Sequence, residues 1–181
     1  MNWHNDVNRA KRSIVLDLKQ PEGLDIFWRL AADADVLLEN FRLGVADKLG
    51  IGYQAVSARN PRIIYAEFSA FGDVGPMARF GANDVAVQAF SGLISATGNK
   101  GQPPVRCGTS VVDMQGSLSL AGGVLAALYH RERTGEGQRV KASLLQSAAH
   151  LMSYAYADYL ADGMIAEPLG TANTISVPNQ A

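Results

Sequence analysis

The sequence predicts an α/β fold built on a Rossmann-like, mainly parallel sheet flanked by helices. Short branched or apolar runs alternate with helical patterns, and Gly or Pro marks the junctions. A chain of 181 residues has the length of roughly one domain.

Each element has a local reason. Residues 13–18 (SIVLDL) alternate and are rich in branched side chains, which predicts a strand. Pro21 opens a helix that reaches about Ala34, with Leu24, Phe27, Leu30 and Ala31 at helical spacing. Residues 35–39 (DVLLE) predict a buried strand, and residues 44–49 and 53–60 two short helices. Residues 62–69 (RIIYAEFS) predict a third strand.

Residues 83–96 predict a helix, followed by a loop containing Gly98, Gly101, Pro103 and Pro104. A long apolar helical pattern then runs from Asp113 to about Arg131, with Leu118, Ala121, Leu125 and Leu128 on one face. Arg131 and Arg133 precede Gly135, a helix-stop signal. Residues 138–142 (QRVKA) predict a short strand. Ser143 and Gln146 form a capping-box pattern that opens a helix to about Ala161, with Gly163 as its stop.

Composition narrows the function classes. Lys plus Arg is 16 and Asp plus Glu is 17, a net charge of −1. This balance disfavours a nucleic-acid module, which carries a strong basic excess. Cys107 is the single cysteine and builds neither an internal disulfide nor a Cys-rich zinc site. His4, His130 and His150 show no metal spacing, so no metal is expected. No run of 18 apolar residues predicts a membrane span, and the polar N-terminus lacks a secretory pattern. The expectation is a soluble, cytoplasmic protein.

Four segments are candidates for chemistry. Arg9, Lys11 and Arg12 form either a solvated basic turn or a phosphate contact. Asn40, Phe41 and Arg42 follow a strand, where ligands sit in this architecture. Phe41 is either a stacking platform for an adenine or a core residue, and Asn40 offers an amide or starts a turn. Residues 71–76 (FGDVGP) allow close backbone approach or form an ordinary turn. Asp113 heads the long apolar helix, either as an N-terminal cap or as a carboxylate nucleophile. Spacing does not separate these readings.

In their fixed order, the runs NRAKRSIVLDLKQPEG, ADVLLENFRLGVADKLGIGY, NPRIIYAEFSAFGDVGP, GANDVAVQAFSGLISATG and PPVRCGTSVVDMQGSLSLAGGVLAALYHRERTGEGQRVKASLL resemble the class III CoA-transferases. This is the group of formyl-CoA transferase and carnitine CoA-transferase. The resemblance implies that Asp113 is the catalytic aspartate, attacking an acyl-CoA thioester to form a mixed anhydride and then an aspartyl-CoA thioester. It also implies that the helix N-terminus favours the ionised nucleophile and that nearby Gly N–H groups hold the oxyanion. Coenzyme A contacts are implied at Leu16, Asp17, Leu18 and Lys19, at Asn40, Phe41, Arg42 and Lys48, and at Gly81, Ala82, Asn83 and Asp84. The substrates would be an acyl-CoA and a small carboxylic acid, with no permanently bound cofactor.

The related α-methylacyl-CoA racemases carry a His where this chain has Asn83, and an Asn is no general base at neutral pH. Transferase is therefore favoured over racemase, and a non-catalytic CoA-binding remnant is a third reading. Family members carry a strand and helix upstream of NRAKRS and continue past the tail. The resemblance thus implies a fragment, with residues 1–162 as a partial large domain and residues 163–181 leading into a second. It also implies an interlocked homodimer for the family, which a chain lacking the closing segments would not complete. A marginal monomer or a sticky oligomer is expected.

Overall fold

The computed structural model describes residues 3–172. Among these the chain forms two compact units, one before Asp35 and one from Asp35 onward. The expected lead into a second domain, residues 163–181, falls in part on residues 173–181, outside the described residues.

The first unit holds α1 (Trp3–Val7) and α2 (Pro21–Ala32). Pro21 stands in the first turn of α2, where its missing N–H costs nothing. The expected strand at residues 13–18 is not formed, and Ile14 and Val15 are 60% and 95% exposed. Branched side chains fit a pleated surface, but a strand exists only when a neighbour completes its hydrogen bonds. The chain turns instead at Asp17, whose carbonyl accepts from Gln20 N–H and whose carboxylate accepts from Lys19 N–H. Gly23 sits against this turn, since a Cβ there would lie 2.2 Å from the Asp17 carbonyl oxygen. Lys11 donates to the Val7 carbonyl at the end of α1, the role of an exposed helix-end cation.

The second unit is built on three parallel strands, β1 (Val36–Glu39), β2 (Ile64–Ser69) and β3 (Gln138–Ser143), in the order β1-β2-β3. Glu39 pairs in register with Glu67, and Glu67 with Lys141. β1 is half-buried rather than buried, with Leu38 62% exposed. The short helices α3 (Val45–Lys48) and α4 (Tyr53–Arg59) connect β1 to β2. α5 (Asp84–Phe90) and α6 (Val111–Thr134) connect β2 to β3. α5 ends at Phe90, earlier than the sequence pattern suggests, and turns follow. α7 (Leu144–Leu151) and α8 (Ser153–Asp162) replace the expected single helix, with the break at Met152. Val87, Val112, Leu144 and Ala148 form the core where α5, α6 and α7 meet.

α6 packs on β2 and β3 with a face other than the expected one. Val112, Gly116, Leu120, Ala127 and Arg131 are buried, whereas Leu118 and Leu125 are 71% and 67% exposed. Apolar residues surround this helix almost evenly, so periodicity does not choose a face. Glycine does. A Cβ on Gly116 would meet the Phe68 ring at 2.4 Å, and one on Gly123 would meet Val140 at 2.8 Å. The helix therefore lays its bare backbone on the sheet. By length and composition α6 could cross a membrane. Its packing on β2 and β3 uses it as a sheet-covering helix.

Candidate functional site

α6 runs from the carboxyl end of β2, where Gly116 meets Phe68, to the amino ends of β1 and β2. There Arg131 donates to the carbonyls of Asp35 and Arg62 and to the Asp35 carboxylate. The head of α6 thus lies at the strand ends where ligands bind in α/β folds.

The first four N–H groups of a helix lack intrahelical partners. In α6, whose N-cap is Ser110, those of Val111, Val112 and Asp113 are satisfied from outside the helix ladder. Val111 N–H donates to the Thr109 carbonyl, and Met114 N–H to the Ser110 carbonyl begins the regular ladder. The N–H groups of Val112 and Asp113 donate to one carboxylate oxygen of Asp84, at 2.8 and 3.0 Å. Asp84 is 4% exposed, and its other oxygen accepts from the Gln88 side-chain amide. Asp84 is therefore the cap of α6, contributed by another helix, while Ser110 makes no side-chain cap.

This geometry answers one of the readings that spacing left open at Asp113, the cap. Its carboxylate does not cap α6, and among the described residues it has no hydrogen-bond or ion-pair partner. Burial, and secondarily the negative charge of Asp84, push its pKa above the ordinary 3.8. The expected help from the helix N-terminus is thus offset, because Asp84 takes the N–H groups and adds a like charge. The N–H groups of Val111, Val112 and Asp113 are therefore engaged and not offered to an oxyanion. Gly108, in the loop leading to α6, has open space at its α-carbon.

The other expected contacts fall into groups. Leu16, Asp17, Leu18 and Lys19 form the turn ahead of α2 in the first unit. In the second unit Arg42 and Gly81 come together, since a Cβ on Gly81 would lie 3.0 Å from the Arg42 Nε. Ala82 packs against the core formed by Val87 and Val112. Asn83 caps α5, its side-chain oxygen accepting from Ala86 N–H at 3.1 Å. Asp84 is buried and engaged as described. Lys48 is exposed in the last turn of α3. Asn40 spends its amide nitrogen on the Phe68 carbonyl, tying the end of β1 to the end of β2.

Phe41 is not a core residue. It is 41% exposed and lines a cavity of about 120 Å³ with Glu39, Asp47, Glu67 and Arg139. Burial raises the pKa of Glu39, against the Phe41 N–H bond that lowers it. Arg139 grips Glu67 with two nitrogens, at 2.9 and 2.7 Å, and lies over the Tyr53 ring. Lys141 pairs with Asp73. Sequence reasoning missed this set. Its signal was the row of charged residues at the strand ends, visible only once the register is known. A larger hollow of about 680 Å³ beside α7 and α8 is lined by none of the expected site residues. No group of three or more metal-ligating side chains occurs among the described residues.

The family model of CoA-transferase family III matches residues 2–181. The acetyl-CoA:oxalate CoA-transferase of Acetobacter aceti is 42% identical over 173 residues, covering 95% of this chain and 44% of that protein. The human alpha-methylacyl-CoA racemase is 42% identical over 149 residues, covering 82% of this chain and 39% of that protein. Among solved structures, a CAIB/BAIF family protein from Brucella suis superposes with a TM-score of 0.86 at 34% identity, over 93% of this chain and 44% of that one. The chain thus spans less than half the length of these relatives.

Proposed function

The chain belongs to CoA-transferase family III, and on that premise we propose that it carries the nucleophile of an acyl-CoA:carboxylate CoA-transferase. Asp113 is that nucleophile. Its carboxylate oxygen attacks the thioester carbonyl carbon of an acyl-CoA, the carbon–sulfur bond breaks and CoA thiolate leaves. The mixed anhydride is then attacked at the Asp113 carbonyl by the thiolate, which releases the donor acid and leaves an aspartyl-CoA thioester. An acceptor carboxylate reverses the sequence. Covalent capture divides one difficult exchange into easier steps.

The observation that carries this reading is the unpartnered carboxylate of Asp113 beside a helix head already capped by Asp84. A carboxylate of raised pKa is a more basic nucleophile once ionised. Acylation also removes its charge from beside Asp84, so like-charge repulsion favours the covalent state. Arg42, held against Gly81, and Lys48 supply exposed cations for the phosphates of coenzyme A. Phe41 offers an aromatic face at the strand ends. The likeness to a racemase is weighed by Asn83, whose side-chain oxygen caps α5 and which holds no basic group.

Intact mass of the folded chain, after incubation with acyl-CoAs and hydroxylamine, tests the proposal. A hydroxamate localised to Asp113 is expected. Asp113→Ala should lower capture by about 10³-fold or more and leave coenzyme A affinity intact. Equal labelling of the Asp113→Ala chain would sink the assignment.

A further inference from the structure

Gln88 is fully buried, and the family reading gives it no task. Burying an amide is costly unless its donors and acceptor are satisfied. Here they are. The Gln88 nitrogen donates to the free oxygen of Asp84 and, at 3.5 Å, to the Thr109 carbonyl. Its oxygen accepts from Cys107 N–H at 2.9 Å. One side chain on α5 therefore holds two things that meet at the head of α6: the carboxylate that caps the helix and the loop that enters it.

We propose that Gln88 is a positioning residue for Asp113, acting through Asp84 and through the loop from Cys107 to Thr109. The inference rests on the reading of Asp113 as the nucleophile. Asp84 accepts two N–H groups on one oxygen and one amide on the other. Without the amide, a buried carboxylate oxygen loses its donor and the group is free to rotate away from the Val112 and Asp113 N–H groups. The backbone that carries Asp113 then loses its anchor, and the loop loses its tie at Cys107. Small misplacements of a reacting group are expensive in rate. Of the ionisable residues, Gln88 contacts Asp84 on its own helix and the backbone of Cys107 on the loop, and Asp113 on α6 interacts with Asp84. α7 meets α5 with the apolar Leu144 and Ala148.

Two variants and two readouts test this. Gln88→Leu keeps the volume and removes the amide. It should slow acyl capture by roughly 10- to 100-fold and speed hydrogen exchange at the Val112 and Asp113 amides. Gln88→Glu keeps the shape and gains a proton-dependent donor. Relative to the unsubstituted chain, its capture rate should be depressed at about pH 8 and recover toward about pH 5.5, as the introduced carboxyl regains the hydrogen it can donate to Asp84. Any carboxyl buried here ionises at a cost, so the pH ratio counts only together with faster exchange at the Val112 and Asp113 amides, which a purely packing role leaves unchanged. Should Gln88→Leu fail to fold, Gln88→Glu compared at the two pH values gives both readouts alone. Unchanged exchange at Val112 and Asp113, whatever the ratio does, would overturn the proposal. If the unsubstituted chain captures no acyl group, the reading of Asp113 fails separately. Amide exchange then decides the positioning role: faster exchange in the variant supports it, and unchanged exchange overturns it.

Discussion

At its C-terminal end α6 buries Arg131, whose guanidinium spans the Asp35 and Arg62 carbonyls and the Asp35 carboxylate. At its N-terminal end it receives a buried carboxylate, Asp84, from α5. Both charges lie where helix polarity favours them, an anion at the N-terminus and a cation at the C-terminus. The difference lies in what is left over. Arg131 leaves only its Nε without a partner, enclosed in protein. Asp84 leaves the carboxylate of Asp113 free and adjacent to a like charge. The first end is an anchor. The second is an anchor beside a carboxylate whose charged form is disfavoured by burial and by a like charge.

The largest effect on stability should come from the anchoring end. Arg131→Ala removes a donor from the Arg62 carbonyl and one of the two donors to the Asp35 carbonyl, which keeps Ile64 N–H, and should cost about 1–3 kcal/mol in denaturant unfolding, since the Asp35 carboxylate is exposed and finds water instead. Where the variant remains folded, acyl capture at Asp113 should persist. Loss of capture in a folded Arg131→Ala chain would break the division between the two ends.

The middle of the helix gives the next effect. Gly116→Ala sets a methyl group against Phe68 and 3.0 Å from the Ser147 hydroxyl oxygen, and should cost about 1–3 kcal/mol. Shortening the opposing side chain with Phe68→Leu should recover part of the loss in a double-mutant cycle. An additive cycle would show that the glycine serves something other than close approach.

The smallest effect should favour the variant. The folded pKa of Asp113 is raised above its unfolded value, so the fold prefers the protonated form. Its stabilising contribution is fully present below the unfolded pKa and is lost as pH rises through the folded one. Asp113→Asn cannot ionise, so it should melt about 1–2 °C higher near pH 7. The gap should close as pH falls toward the carboxylate range. A variant that melts lower at pH 7 would show that the charge at Asp113 supports the fold.

Local signals were legible where they depend on neighbours in sequence. β1, β2 and β3 stand where the short apolar or branched runs predict them. Gly135 and Gly163 end α6 and α8 with φ of 82° and 71°, the left-handed backbone that glycine adopts freely. Ser143 caps α7 by accepting from Gln146 N–H. The run at residues 13–18 misled because β propensity describes a side chain's fit to a sheet and supplies no neighbouring strand. The face of α6 was hidden because apolar residues surround it, and only the approach of Phe68 and Val140 to two glycines selects a side.

The sequence by itself determined the α/β class, the order of most elements, the family resemblance and the identity of Asp113 as the residue to watch. Those follow from periodicity, turn chemistry and motif order, all written along the chain. Tertiary structure decided what Asp113 is free to do. Its cap comes from Asp84, 29 residues earlier, and the cap is held by Gln88 on the neighbouring helix. Asp is a common helix cap, so Asp113 alone reads equally well as structure or as chemistry. Only the folded chain, by giving the cap to a second carboxylate, leaves the first one open.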